Sequence, residues 1–345
     1  MINRNRTSAK AGSRPIRVLC APTAFKETLS ASEAARIMAD ATGGEPVPVA
    51  DGGDGTLDAL ESALGGRRVR RHVTGPLGDP VDAEMLLAPG VAVIEMASAS
   101  GLKLVPPSRR DPLWTRTWGV GELMRAAGSR RVWLGVGGSA TVDGGLGALA
   151  ALGVLGPRPD PAGLAVIRRT TVLCDVRTRF LDAPRIFGPQ KGATPRQVRL
   201  LEEWLRRWSA MLPRDVRNLE GSGAAGGLAG GLAAFGARLV PGAPFILKAV
   251  HFDRRLRRAD LVLTGEGRFD ATSLAGKAPG EVIAAARRRG VPVAVVCGRW
   301  ALPRRPRGVV AVVESRDPAR AREGVARAAA KALQLAAKVG PSRRR

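Results

Sequence analysis

Carboxylates gather in short, glycine-rich stretches of this chain. Asp51 and Asp54 sit in Asp51-Gly-Gly-Asp-Gly-Thr56. Asp143 closes Gly137-Gly-Ser-Ala-Thr-Val-Asp143, and Asp175 follows the run Thr171–Cys174. Glu266 and Asp270 lie in Thr264-Gly-Glu-Gly-Arg-Phe-Asp270. Each follows a short β-rich run. Carboxylates at strand ends can hold Mg²⁺ through oxygen or take a proton from a substrate hydroxyl. The plainer alternative is an Asp that caps its own turn.

The Gly137–Thr141 loop has a second chemistry. Gly137 and Gly138 let backbone N–H groups approach an anion, and Ser139 and Thr141 add hydroxyls around Ala140. A helix-like run follows, and a helix N-terminus favours phosphate. A strand-to-helix turn that needs Gly for positive φ would look the same. Lysine is informative because it is rare: 8 Lys stand against 47 Arg. Lys26, Lys191 and Lys277 fall in motif-like loops, where a compact point charge differs from a guanidinium. The other five, Lys103 among them, read as tail or helix positions.

Several chemistries are excluded. Gly276-Lys277 is followed by Ala278 and has no Walker A spacing. There is no HExxH and no GxSxG. His72 and His251 are the only histidines and neither lies in a glycine-rich loop, so no histidine-based triad is expected. Cys20, Cys174 and Cys297 form no CxxC or Cys/His cluster. Zinc and a disulfide framework are therefore not expected, and the reading is a reducing cytoplasm.

The elements that position these loops alternate. Ile16–Ala21, Pro46–Ala50, Leu261–Leu263, Val291–Val296 and Val309–Val313 read as strands. Ser30–Ala41, Thr56–Leu64, Pro279–Arg289 and Pro318–Ala337 read as helices between them, with Ser30 and Glu33 at capping-box spacing. Val69–Val73, Val81–Leu87 and Val91–Met96 read as three turn-linked strands. Helix Gly119–Ala127, strands Val132–Val136 and Thr171–Asp175, helix Thr194–Met211 and a small-residue helix at Gly221–Gly236 follow. This predicts an α/β protein with two α/β domains. A Rossmann- or flavodoxin-like parallel-sheet domain comes from 16–67 and 256–339. A second α/β domain is inserted at 68–255, with the ligand cleft between them. Residues 1–15 and 340–345 read as disordered basic tails.

The formal net charge is +25, and aromatics are 4% of residues. The Arg are scattered singly and in pairs. Solvated faces and GC-rich coding explain most of them, so nucleic acid is an unlikely partner, though the charge leaves a polyanion reading open. No apolar stretch is long enough to span a membrane.

Together the loops resemble the type I glycerate kinases, from about Val18 to Gly298. The residues that carry this are Ala21-Pro22, Phe25-Lys26 and Leu29-Ser-Ala31; Ala50–Thr56; Val73–Gly78; Ile94–Ala97 with Ala99–Leu102; Gly137–Thr141; Asp143–Gly145; Cys174–Val176; Phe187–Ala193; Gly223–Leu228; and Thr264–Arg268 with Gly276–Pro279. The resemblance implies ATP- and Mg²⁺-dependent phosphorylation of D-glycerate, to 2-phosphoglycerate in most bacterial relatives and 3-phosphoglycerate in some; a monomer or homodimer is expected. For phosphoryl transfer, which needs an aligned hydroxyl, Mg²⁺ and positive charge, Asp175 and Lys191 are the expected catalytic residues. Lys26, Asp51, Gly52, Gly53, Asp54, Arg268 and Asp270 are expected on the substrate. Gly137–Thr141 and Lys277 are expected on the nucleotide, and Asp54 and Glu266 on the metal. The chain departs from the family pattern at Thr23, Ala24, Glu27, Val142 and Arg177–Leu181, taken as cleft-facing positions. Two other readings therefore stand beside the kinase: a weakened homologue acting on another hydroxy acid, and a basic polyanion-binding protein.

Overall fold

The computed structural model describes residues 15–25 and 28–339. Lys26, Glu27 and the two basic tails, apart from Pro15, lie outside the described residues.

In chain order the elements are β1 (Val18–Cys20), α1 (Ala31–Thr42), β2 (Glu45–Pro46), α2 (Thr56–Leu64), β3 (Arg67–Thr74), β4 (Pro80–Ala88) and β5 (Val91–Glu95). Then come α3 (Ala97–Ser100), α4 (Trp118–Ala126), β6 (Arg131–Gly135), α5 (Leu146–Ala151), α6 (Pro161–Arg168), β7 (Thr170–Cys174), α7 (Ala183–Phe187) and α8 (Pro195–Met211). The last are α9 (Leu228–Ala234), β8 (Arg238–Pro241), α10 (Gly242–Ala249), α11 (Phe252–Leu256), β9 (Leu261–Phe269), α12 (Ala278–Arg288), β10 (Val293–Trp300), β11 (Val309–Glu314) and α13 (Ala321–Val339).

Two sheets result. The five-stranded sheet has the order β11-β10-β9-β1-β2, and all its pairings are parallel. Numbered within that sheet alone, this is the flavodoxin-like order 2-1-3-4-5, whose ligand crevice opens between the first and third strands. The six-stranded sheet runs β3 to β8 in sequence order. Its first three strands pair antiparallel and the rest parallel. The antiparallel part follows from short Gly/Pro turns, and the parallel part from crossover helices.

Strand alternation distributes the cores. Val18 and Cys20 face α1 and α13 on one side of the small sheet. Leu19 faces the other side, where α2, α10, α11 and α12 lie. Those helices also pack on the large sheet through Leu86, Val93 and Leu173. Ala92 and Ile94 point the opposite way, into a core with α4, α5, α6, α8 and α9. The chain is thus five alternating layers of helix and sheet with one shared helical layer.

Capping makes the helix starts legible. Ser30 and Glu33 form the reciprocal capping box at α1, and Thr194 and Gln197 repeat it at α8. The small-residue segment differs from expectation. It breaks into a 3₁₀ turn and α9, because Ala225, Gly226 and Gly227 take positive φ. A Cβ on Gly226 would lie 2.0 Å from the Thr141 carbonyl oxygen, so the glycine admits the Gly137–Gly145 loop.

Candidate active site

The parallel strands of both sheets direct their carboxyl ends toward one cleft of ≈ 690 Å³. The small sheet contributes Thr23, Ala24 and Phe25 after β1, Asp51, Gly53 and Asp54 after β2, Glu266 and Arg268 on β9, and Ser315 and Asp317 after β11. The large sheet contributes Gly137 and Gly138 after β6 and Asp175 after β7. Asp270 and Lys277 close one side. Ten of the residues expected at the site from sequence therefore line a single cavity: Asp51, Gly53, Asp54, Gly137, Gly138, Asp175, Glu266, Arg268, Asp270 and Lys277.

Others do not line it. Lys191 is buried beneath the Gly137–Thr141 loop, 2% exposed. Its Nζ donates to Ser139 Oγ and to the Thr141 carbonyl, both at 2.7 Å. Ser139, Ala140 and Thr141 turn inward with it. Gly52 is packed rather than exposed: a Cβ there would meet the Leu173 carbonyl oxygen at 2.5 Å, while its own carbonyl accepts from Gly137 N at 3.0 Å. Asp143 does not face the cleft at all. It accepts from Thr117 N and Oγ1, Gly145 N and Gly147 N, and so fixes the start of α5. Two of the departures from the family pattern are also interior. Val142 and Phe180 belong to the large core, whereas Thr23 and Ala24 do line the cleft.

Local structure sets the charges. Asp51 Oδ1 accepts from Gly53 N at 3.2 Å, which shapes the turn into α2. Glu266 and Arg268, expected in a loop, lie on β9, which continues alongside β10 to Phe269 and Trp300. Burial raises the Glu266 carboxyl above its usual range. Ser273 and Lys277 act against that rise, and Asp51 and Asp270 add to it. Glu266 Oε1 is buried without a hydrogen-bond partner, as is Ser315 Oγ. Asp270 is held below its usual range, first by the Thr272 hydroxyl and then by the Thr272 backbone N–H; Arg268 lies 3.3 Å away.

Four contributors were not among the expected site residues. Lys103 places its ammonium 2.6 Å from Asp54 Oδ2; its signal was lysine's rarity. Glu95, at the end of β5, accepts from Leu57 N at 2.8 Å and holds the first turn of α2. Burial raises its carboxyl to about 7, with the charges of Asp54 and Asp58 adding to the shift. Ser315 with Asp317, before α13, had no motif to mark it.

Among the described residues no three His, Cys, Asp or Glu side chains form a ready-made metal site. The donor set is still the right kind. Mg²⁺ is usually held by one or two carboxylates plus phosphate oxygens and water, and the cleft offers carboxylates beside backbone N–H groups. Such an arrangement can hold a polyphosphate, orient a hydroxyl and accept its proton.

Comparison with known proteins agrees. A model of the glycerate kinase family matches residues 18–165 and 163–340. A glycerate kinase of Halalkalibacterium halodurans is 40% identical over 322 residues, covering 81% of this chain and 85% of that protein. A glycerate 2-kinase of Escherichia coli is 38% identical over 331 residues, covering 82% and 85%. A crystal structure assigned as glycerate kinase 2 from Salmonella typhimurium LT2 superposes with a TM-score of 0.79 at 36% identity, covering 94% of this chain and 100% of that one.

Proposed function

The chain belongs to the glycerate kinase family and is a kinase that transfers phosphate to a hydroxyl; from that premise we propose that it phosphorylates D-glycerate with ATP and Mg²⁺, giving 2-phosphoglycerate. The observation that carries this reading is the convergence of Gly137–Gly138 and Asp175 from the large sheet on the same cleft as Asp51, Asp54 and Lys277 from the small one. The product follows the name of the Escherichia coli relative.

Phosphoryl transfer needs alignment and charge more than covalent chemistry. In this reading the Gly137 and Gly138 backbone cradles the phosphates. Lys277, Arg268 and Lys103 supply positive charge at the walls. Asp175 receives the proton of the attacking hydroxyl as the new P–O bond forms and the bond to the β-phosphate oxygen breaks. Asp51 and Asp54 are the carboxylates placed to hold Mg²⁺, which neutralises phosphate charge when bound.

A second reading keeps the chemistry and changes the acid. Thr23 and Ala24 replace the family's usual Asp-Ser at the cleft wall. Thr23 Oγ1 donates to the Gly265 carbonyl at 3.2 Å, and neither Thr23 nor Ala24 offers the cleft a carboxylate. Purified protein with Mg-ATP should release ADP only with a short hydroxy acid, and phosphorus NMR should identify 2-phosphoglycerate. Turnover with another hydroxy acid alone would favour the second reading. ADP release without any acid, or none with every acid tried, would end both.

A further inference from the structure

Lys191 is an expensive residue where it stands. An ammonium removed from water costs several kcal/mol unless it is paired, and Met or Leu would fill the space at no such cost. Yet no carboxylate lies within ion-pair distance of it among the described residues. Its partners are a hydroxyl, Ser139 Oγ, and a carbonyl, that of Thr141, with the Phe187 ring 5.6 Å from Nζ. The charge that acts on it is that of Asp143, whose oxygens are already engaged by Thr117, Gly145 and Gly147.

The loop above it is clamped elsewhere as well. Ala140 N donates to the Ser100 carbonyl, Leu102 N to the Gly138 carbonyl and Gly137 N to the Gly52 carbonyl. Thr115 Oγ1 donates to the Ala140 carbonyl. The loop thus has anchors besides the two hydrogen bonds from Lys191, and what only the lysine adds is charge. On the far side of the same loop, Gly137 and Gly138 line the cleft.

We infer that Lys191 is the buried counter-charge of the phosphate site: it acts through the Gly137–Thr141 loop as a positioning residue that never touches the ligand, and an anion on the open face of the loop holds a proton on its amine. This rests on the ATP reading above. Burial brings the Lys191 amine down to about 7, against which the charge of Asp143 works. The free protein is thus poised to gain or lose this proton near neutrality. An anion in front of the loop favours the charged amine, so binding above pH 7 takes up a proton. By linkage, nucleotide affinity falls as pH rises beyond about 7, by about tenfold in all for a one-unit coupling.

The test is calorimetry of Mg-ATP binding in buffers of different ionisation heat, from pH 7 to 9, on the wild type and on Lys191→Met. Any proton taken up by ATP itself is common to both. The wild type should show additional uptake that the variant lacks, and Lys191→Met should bind about tenfold more weakly at pH 7, a one-unit coupling, with a flatter pH profile. Equal uptake and equal slopes in the two proteins overturn the inference. A wild type that binds Mg-ATP with no net uptake overturns it without any variant, so a misfolded Lys191→Met does not protect it. A folded wild type that binds no nucleotide at any pH overturns the ATP reading itself, a result distinct from binding without uptake.

Discussion

Lys103 bridges the two sheets at the cleft by setting its Nζ 2.6 Å from Asp54 Oδ2. The lysine follows β5 of the large sheet, and the aspartate follows β2 of the small one. The ammonium is largely exposed, so an arriving anion can compete with Asp54 for it. Lys103→Met should raise KM for the nucleotide or the hydroxy acid about tenfold, the worth of one charge-assisted hydrogen bond at ~1.5 kcal/mol. The melting temperature should not change, because exposed pairs stabilise little. Unchanged steady-state kinetics would reduce the pair to a surface contact.

Asp175→Asn tests the general base. Asn keeps the shape and can cap a turn, but it cannot take the proton. The expected result is a folded protein with near-normal ATP binding and kcat lowered by roughly 10²–10⁴. A variant that retains more than about a tenth of parental kcat, well short of that loss, would leave Asp175 a structural role.

Gly138 combines φ +73° with a Cβ position 3.2 Å from both Ala97 Cβ and Asp54 Oδ1. Gly78 has φ +93° and open space around it. Both Gly138→Ala and Gly78→Ala should cost about 1–2 kcal/mol of stability from left-handed strain. Only Gly138→Ala should also weaken nucleotide binding. Denaturant melts and ATP titrations of the pair separate strain from site; equal nucleotide affinity in both would show that Gly138 is not part of the cradle.

Glu95 makes stability depend on pH. Its folded carboxyl, raised to about 7 from 4.5, holds a proton that the unfolded chain releases. Its contribution is fully present below about 4.5 and is lost as pH rises through 7. The total is on the order of 3 kcal/mol at 1.36 kcal/mol per unit. Glu95→Gln keeps an acceptor for Leu57 N and does not ionise. It should be more stable than wild type at pH 8 and equal to it near pH 4.5. Parallel stability curves across that range would refute the assignment.

Much of this arrangement was legible in the chain. Ser30 and Glu33 announced α1, and the polar residues after β-rich runs fell where parallel strands end. What was hidden depended on packing. Lys191 and Lys277 look alike in sequence, but one is folded under a loop and the other stands just before α12 at the cleft. Glu266 and Arg268 read as loop because glycines flank them, yet Gly267 and Gly298 permit a close strand approach: a Cβ on Gly298 would lie 2.5 Å from the Gly267 carbonyl oxygen. The short β8, with Pro241 at its end, and the neighbouring α10 carry Gly and Pro that mask their regularity. Lys103 lay in plain view but in a segment with no motif of its own.

The small sheet closes only when β1 meets β9, as when Thr264 Oγ1 donates to the Ala21 carbonyl 243 residues earlier. During synthesis, β1 and β2 must wait for the whole intervening sheet to emerge before their central partner exists. Closing so long a loop is entropically costly, and such distant pairings slow folding. Formation of the intervening sheet brings the ends of this long loop together, since Gly242 lies so close to Asp51 that a Cβ would be 1.8 Å from the Asp51 carbonyl oxygen. Chains truncated before Leu261 should keep the six-stranded sheet and leave β1 a sticky edge, making such nascent or degraded forms the ones that aggregate.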